Sequence, residues 1–142
     1  MSSEPKPTLY LVDDESDQLF LLRRAAERSG EFGEIRTAVD SHLAYQELLD
    51  RAECGKPRPN LLITDWKMPR WTGAELACAL RHHPQLKAIP VVALSSSYLK
   101  SDREEALACG CRAFVQKPYG FYRMVDLMKA LAQEYSGAHS NT

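Results

Sequence analysis

The chain has 142 residues, a length for one domain with one ordinary core. Its 44% hydrophobic and 26% charged residues are the composition of a globular protein, neither a disordered nor a fibrous one. A formal net charge of −1 gives no electrostatic reason to expect nucleic acid or an anionic membrane as partner, and no apolar stretch approaches the ~20 residues that span a bilayer.

Residues 1–7 are polar and proline-containing, without a hydrophobic signal core. They read as a flexible leader on a cytoplasmic protein. The apolar run Leu9, Tyr10, Leu11, Val12 predicts a first strand that runs into Asp13-Asp14-Glu15-Ser16-Asp17. A helix is expected over 17–29, with Leu19, Leu22 and Ala26 as its apolar stripe and Gly30 as its stop. A short strand over 35–39 follows. Asp40 or Ser41 can cap the next helix, in which Leu43, Ala44, Leu48 and Leu49 are expected to face inward. Residues 51–60 form a polar connection with two prolines.

The third strand carries Leu61, Leu62, Ile63 and Thr64 and ends at Asp65. A loop over 66–73 leads to a helix over 74–83, with Leu76, Ala77 and Leu80 inward and Pro84 beyond its end. A fourth strand spans 91–95, a helix 101–109 and a fifth strand 112–116, which Lys117-Pro118 breaks. The last helix, 121–135, turns Met124, Val125, Met128 and Leu131 to the core. Residues 136–142 read as a flexible tail, leaving 8–135 as the domain. Five repeats of strand then helix argue an α/β fold, a doubly wound five-stranded parallel sheet.

Four cysteines, Cys54, Cys78, Cys109 and Cys111, are expected to be unpaired thiols with structural roles. Cys109 and Cys111 are too closely spaced for a usual zinc knuckle. His82-His83 closes a predicted helix, where a positive charge is favourable.

The chemistry lies at the strand ends. In one parallel sheet, Asp13, Asp14, Asp65, Ser95 and Lys117 converge on its carboxyl edge, where open α/β sheets place their ligands. Three crowded carboxylates call for a hard divalent cation such as Mg²⁺. A carboxylate can be a nucleophile and form an aspartyl phosphate. A hydroxyl and an ammonium can then pair with phosphoryl oxygens. Any one of these residues alone reads as a cap, a turn or a surface charge. The joint placement is what points to a site.

These residues also carry a resemblance. Asp13-Asp14, Asp65-Trp66-Lys67-Met68-Pro69 with Gly73 eight residues on, the run Ile89 to Ser95, and Lys117-Pro118-Tyr119 resemble the signature of the CheY-like response regulator receiver domain of two-component phosphorelays. The resemblance implies a flavodoxin-like (βα)5 fold with strand order 2-1-3-4-5. It implies phosphorylation at Asp65 and metal ligation by Asp14, Asp65, the Lys67 backbone carbonyl and, through water, Asp13. Ser95 and Lys117 would hold the phosphoryl group, and Phe114 would be the rotating switch aromatic. The Lys117–Pro118 bond resembles a cis peptide of the family. Lys67, Ser97 and Trp66 flank the site, with Lys67 and Ser97 at positions that vary in the family. Arg70-Trp71 adds a large aromatic beside the acceptor.

The resemblance further implies no turnover enzyme, but self-catalysed phosphotransfer and autodephosphorylation. The donor would be a sensor histidine kinase or a phosphotransfer protein. A looser likeness, through Ile89 to Val92 and the segment before it, points to regulators of phytochrome-type kinases. No output domain follows the last helix, so a stand-alone signalling domain is expected. It would act on a downstream protein through the face of helix 4, strand 5 and helix 5, which is also a plausible homodimer surface. Two other classes fit less well. An aspartyl-phosphate phosphatase of the haloacid dehalogenase type would want Asp-x-Asp after strand one. A flavodoxin-like cofactor binder would want a first loop rich in Ser, Thr and Gly, whereas the acidic loop here repels phosphate.

Overall fold

Aliphatic runs buried on both faces pair as parallel strands because helices cover each side. In this computed structural model, which describes residues 5–96 and 99–135, that is what the chain does. The elements are β1 (Leu9–Val12), α1 (Ser16–Ser29), β2 (Ile35–Ala38), α2 (Ser41–Glu53), β3 (Leu61–Asp65), α3 (Gly73–Arg81), β4 (Val91–Ser95), α4 (Lys100–Ala108), β5 (Ala113–Gln116) and α5 (Phe121–Tyr135). All strand pairs are parallel and the order is β2-β1-β3-β4-β5, as the resemblance implied.

Side chains alternate across the sheet and so build two cores. Leu9, Leu11, Leu61, Ile63, Val92 and Leu94 meet α1 and α5. Tyr10, Val12, Leu62, Val91 and Ala93 meet α2, α3 and α4. Met128 of α5 and Leu76 of α3 are fully buried, and burial of such a side chain contributes roughly 1.5–3 kcal/mol. The Tyr10 hydroxyl enters the core satisfied. It donates to Glu47 of α2, which also pairs with Arg36 of β2.

Several local signals act as read. Gly30 ends α1 in the left-handed region at φ 73°, and the Asp40 side chain accepts from the Leu43 amide to cap α2. One inward assignment fails: Leu43 is exposed. Ala44 and Leu48, one turn apart, face the sheet, and this leaves Leu43 on the outer side of the first turn. Helix α3 begins one residue early because Thr72 and Glu75 form a reciprocal capping box.

Candidate functional site

Strand register brings the site together. Val12 lies opposite Thr64, so Asp13 and Asp65 occupy the same rank of neighbouring strands. Asp65 lies opposite Leu94, which puts Ser95 one step further on. Ser95 lies opposite Gln116, and the Lys117 amide donates to the Ser95 carbonyl at 2.8 Å. Lys117 therefore starts its side chain beside Ser95 and can reach back over the sheet edge.

It reaches both acids. The Lys117 ammonium lies 3.0 Å from Asp65 Oδ1 and 3.2 Å from Asp13 Oδ2. The Asp13 carboxylate is buried and its Oδ1 accepts from the Glu15 amide at 3.0 Å. Neither aspartate of the pair caps α1: Glu15 stands at the N-cap without a side-chain bond to the helix. The acids thus face the edge of the sheet. One carboxylate oxygen each from Asp13, Asp14 and Asp65 lies within 4.8 Å of the others. Such a set of hard oxygen donors fits a divalent cation. A recess of about 150 Å³, lined by Asp14, Glu15, Asp65, Lys67, Ser95, Ser96 and Lys117, opens over it.

The electrostatics are those of an excess of negative charge. Burial and the neighbouring Asp13 carboxylate push the Asp65 pKa up to about 6, and the Lys117 ammonium only partly opposes them. Burial alone would pull the Lys117 ammonium down. Asp65 and Asp13 more than offset it, and its pKa moves up. A cation at the three acids would relieve this strain on Asp65.

The flanking residues divide. Trp66 is buried and meets the buried Phe114 ring edge-on, with centroids 5.7 Å apart. Phe114 is thus turned inward, between the sheet and α3 and α4. Lys67 points away from Asp65: its ammonium pairs with Asp102 of α4 at 3.5 Å. Trp71 packs on α2, stacked on His42 at 4.3 Å and edge-on to Tyr45. Tyr119 is 85% exposed. Ser97 lies outside the described residues. The cis expectation for Lys117–Pro118 is not met. The bond is trans, the isomer that X–Pro pairs also favour intrinsically, and Lys117 reaches both acids from it.

A close approach that the sequence signalled only as a spacing is Gly73. A Cβ there would stand 2.6 Å from the Asp65 carbonyl oxygen. The start of α3 is packed against the backbone that presents the acid, and its amide donates to the Trp66 carbonyl at 3.1 Å.

Comparison with known proteins agrees with this geometry. Residues 9–129 match the response regulator receiver domain family. The chain is 31% identical over 126 residues to the phosphate regulon transcriptional regulatory protein PhoB of Rhizobium meliloti, covering 88% of this chain and 52% of that one. It thus spans about half of PhoB. It is 31% identical over 123 residues to the polar-differentiation response regulator DivK of Brucella anthropi, covering 87% and 94%. Among solved structures, the phosphorylated cyanobacterial phytochrome response regulator RcpA superposes with a TM-score of 0.81 at 24% identity, over 96% of this chain and 97% of that one. The Mn²⁺-bound response regulator Rcp1 superposes at 0.74 and 23% identity, over 90% and 93%. With the strand order, the acidic cluster and the family match all in agreement, the chain belongs to the response regulator receiver domain family and is a phosphoacceptor of two-component signalling rather than a conventional enzyme.

Proposed function

We propose that Asp65 is the residue that takes the phosphoryl group, from a phosphohistidine on a sensor histidine kinase or phosphotransfer protein. The observation that carries this reading is the Lys117 ammonium, 3.0 Å from Asp65 and 3.2 Å from Asp13 at the sheet edge. A carboxylate oxygen of Asp65 attacks phosphorus as the bond to the donor nitrogen breaks, and the imidazole leaves. Lys117 follows the charge onto the new phosphoryl oxygens, and the Ser95 hydroxyl donates to one of them. Asp14, Asp65, the Lys67 carbonyl and, through water, Asp13 would hold Mg²⁺. Bound there, the cation neutralises charge shared by the carboxylates and the phosphoryl oxygens. Loss of phosphate is attack by water at the same centre.

The signal is a shift between two packings. Phosphorylation adds a charge near −2 and draws Ser95 towards it. Phe114, inward against Trp66, is the aromatic whose position reads that movement. The readout surface is α4, β5 and α5, where Leu107 and Tyr122 are exposed. A downstream protein or a second copy of the chain would bind there. Likeness to the phytochrome response regulator RcpA favours a phytochrome-type kinase as the donor's class. The active unit is residues 8–135, and it acts in the cytoplasm. No helix among the described residues is long and apolar enough to cross a membrane.

The test is incubation with Mg²⁺ and acetyl phosphate, read by intact mass and tryptophan emission. A phosphoryl mass increment that disappears in Asp65→Asn supports the proposal. A folded protein that gains no increment from acetyl phosphate or a phosphohistidine donor overturns it.

A further inference from the structure

Away from the acidic site, two thiols that the sequence leaves unrelated meet. Cys78 lies near the end of α3, and Cys109 is the C-cap of α4. Their sulfurs are 2.8 Å apart. Both residues are half-buried. The backbone around them is already held together. The Arg81 guanidinium of α3 donates to the Ala108 carbonyl of α4, and its aliphatic stem crosses the face of Gly110, where a Cβ would stand 2.9 Å from Cδ. The other two cysteines differ: Cys54 is exposed at the end of α2 and Cys111 is buried.

We propose that Cys78 and Cys109 form a dithiol modification site that a small-molecule disulfide of the glutathione class oxidises to an intramolecular disulfide joining α3 to α4. The sulfurs, 2.8 Å apart, stand within a short closing movement of the ~2.05 Å of a disulfide bond. The exchange is balanced. One thiol loses its proton and attacks a sulfur of the oxidant, which releases one reduced thiol and leaves a mixed disulfide. The second protein thiolate attacks that mixed disulfide and releases the other reduced thiol. Two protein thiols are oxidised and one disulfide is reduced to two thiols. Burial and the adjacent Cys78 sulfur push the Cys109 pKa up to about 12; whichever thiol attacks first, the other lies in position to resolve the mixed disulfide.

The site matters because of where it ties the fold. Ala106 is the buried residue of α4, so this helix is weakly anchored. A covalent bond at its C-cap fixes that end on α3. The turn that carries Asp102, beside the phosphoacceptor loop, gains no covalent tie and keeps its ion pair to Lys67. Oxidation thereby limits the movement of the helix that belongs to the proposed readout surface. That consequence rests on the proposed function, whereas formation of the bond does not.

The experiment equilibrates the full chain in glutathione buffers from fully reduced to fully oxidised, followed by intact mass and peptide mapping. The expected result is loss of two hydrogens' mass, with one cross-linked peptide pair joining Cys78 and Cys109. The loss persists in Cys54→Ser and Cys111→Ser. It is absent from Cys78→Ser and Cys109→Ser, and thiol reductant restores the mass. Amide exchange in α4 slows in the oxidised wild type. A wild-type chain that keeps four titratable thiols in the most oxidising buffer overturns the proposal, as does a cross-link to Cys54 or Cys111. Both readouts use the wild type, so they stand even where a serine variant folds poorly, and neither depends on phosphorylation of Asp65.

Discussion

The Lys67 ammonium turns from the acidic site to Asp102 on the first turn of α4, 3.5 Å from its Oδ2. That oxygen is buried and makes no hydrogen bond, so the ion pair is its compensation. The two partners are unequal, because the Lys67 side chain is 61% exposed and that of Asp102 only 16%. Removing the lysine leaves a carboxylate in a poor environment, whereas removing the acid leaves a solvated lysine. Lys67→Met is expected to lower stability by about 1 kcal/mol or less, since solvent screens the pair. Asp102→Asn is expected to be near neutral, and the double variant to recover most of the loss. Urea unfolding of the four proteins measures this, and equal losses in both single variants would refute it.

Asp65 makes stability depend on pH in an unusual direction for a carboxylate. Its pKa of about 6, against 3.8 for the ordinary group, means the folded chain holds a proton that the unfolded chain has released. Stability from this group is therefore greatest below pH 4 and falls as pH rises to about 6. The full loss is on the order of 3 kcal/mol, and it is present at pH 7 without metal. Asp65→Asn removes it, so this variant is expected to melt above the wild type in chelator at pH 7. Mg²⁺ should raise the wild-type melting temperature more than that of the variant. Calorimetry at pH 4, 5, 6 and 7 with and without Mg²⁺ checks both signs. A variant that melts below the wild type in chelator would count against the electrostatic account.

The acidic site was readable because its residues end apolar runs, and parallel register turns run ends into one edge of a sheet. Asp13, Asp65, Ser95 and Lys117 needed no knowledge of side-chain packing to be placed together. Leu43 was misread because an apolar residue in the first turn of α2 looks the same inside or out until Ala44 and Leu48 choose the buried face. The direction of Lys67 depends on Asp102, whose position follows from how α4 lies on the sheet and not from its own surroundings in the chain. The meeting of Cys78 and Cys109 is likewise a property of two helix ends brought side by side. Periodicity locates each helix but not the point where its end touches another.

Gly73 is expected to tolerate no side chain. A Cβ would stand 2.6 Å from the Asp65 carbonyl oxygen and 3.0 Å from Trp66 Cε3, and neither backbone nor buried indole can yield. Gly73→Ala should cost about 1–3 kcal/mol as an overpacking change and slow phosphoryl uptake by displacing Asp65. Gly55 is the contrast. It sits at φ 75° with nothing within 4 Å, so Gly55→Ala pays only the left-handed backbone cost of roughly 1–2 kcal/mol and leaves uptake unchanged. Denaturant midpoints and acetyl phosphate uptake separate the two. Equal uptake in both variants would show that α3 does not position the acid.

The edge-on contact of Trp66 with Phe114, at 5.7 Å and 86°, offers a way to watch the switch. The chain has two tryptophans, and Trp71 stacks on His42 away from this contact. A Trp71→Phe background therefore leaves emission from Trp66 alone. Adding acetyl phosphate with Mg²⁺ is expected to change that emission as Phe114 shifts in the space it shares with Trp66. Phe114→Leu keeps apolar bulk in the core at a cost of about 1 kcal/mol but removes the ring edge. In that variant the mass increment at Asp65 should persist while the emission change shrinks. Retention of the full emission change in Phe114→Leu would mean that Trp66 senses the phosphoryl group directly and that Phe114 is an ordinary core residue.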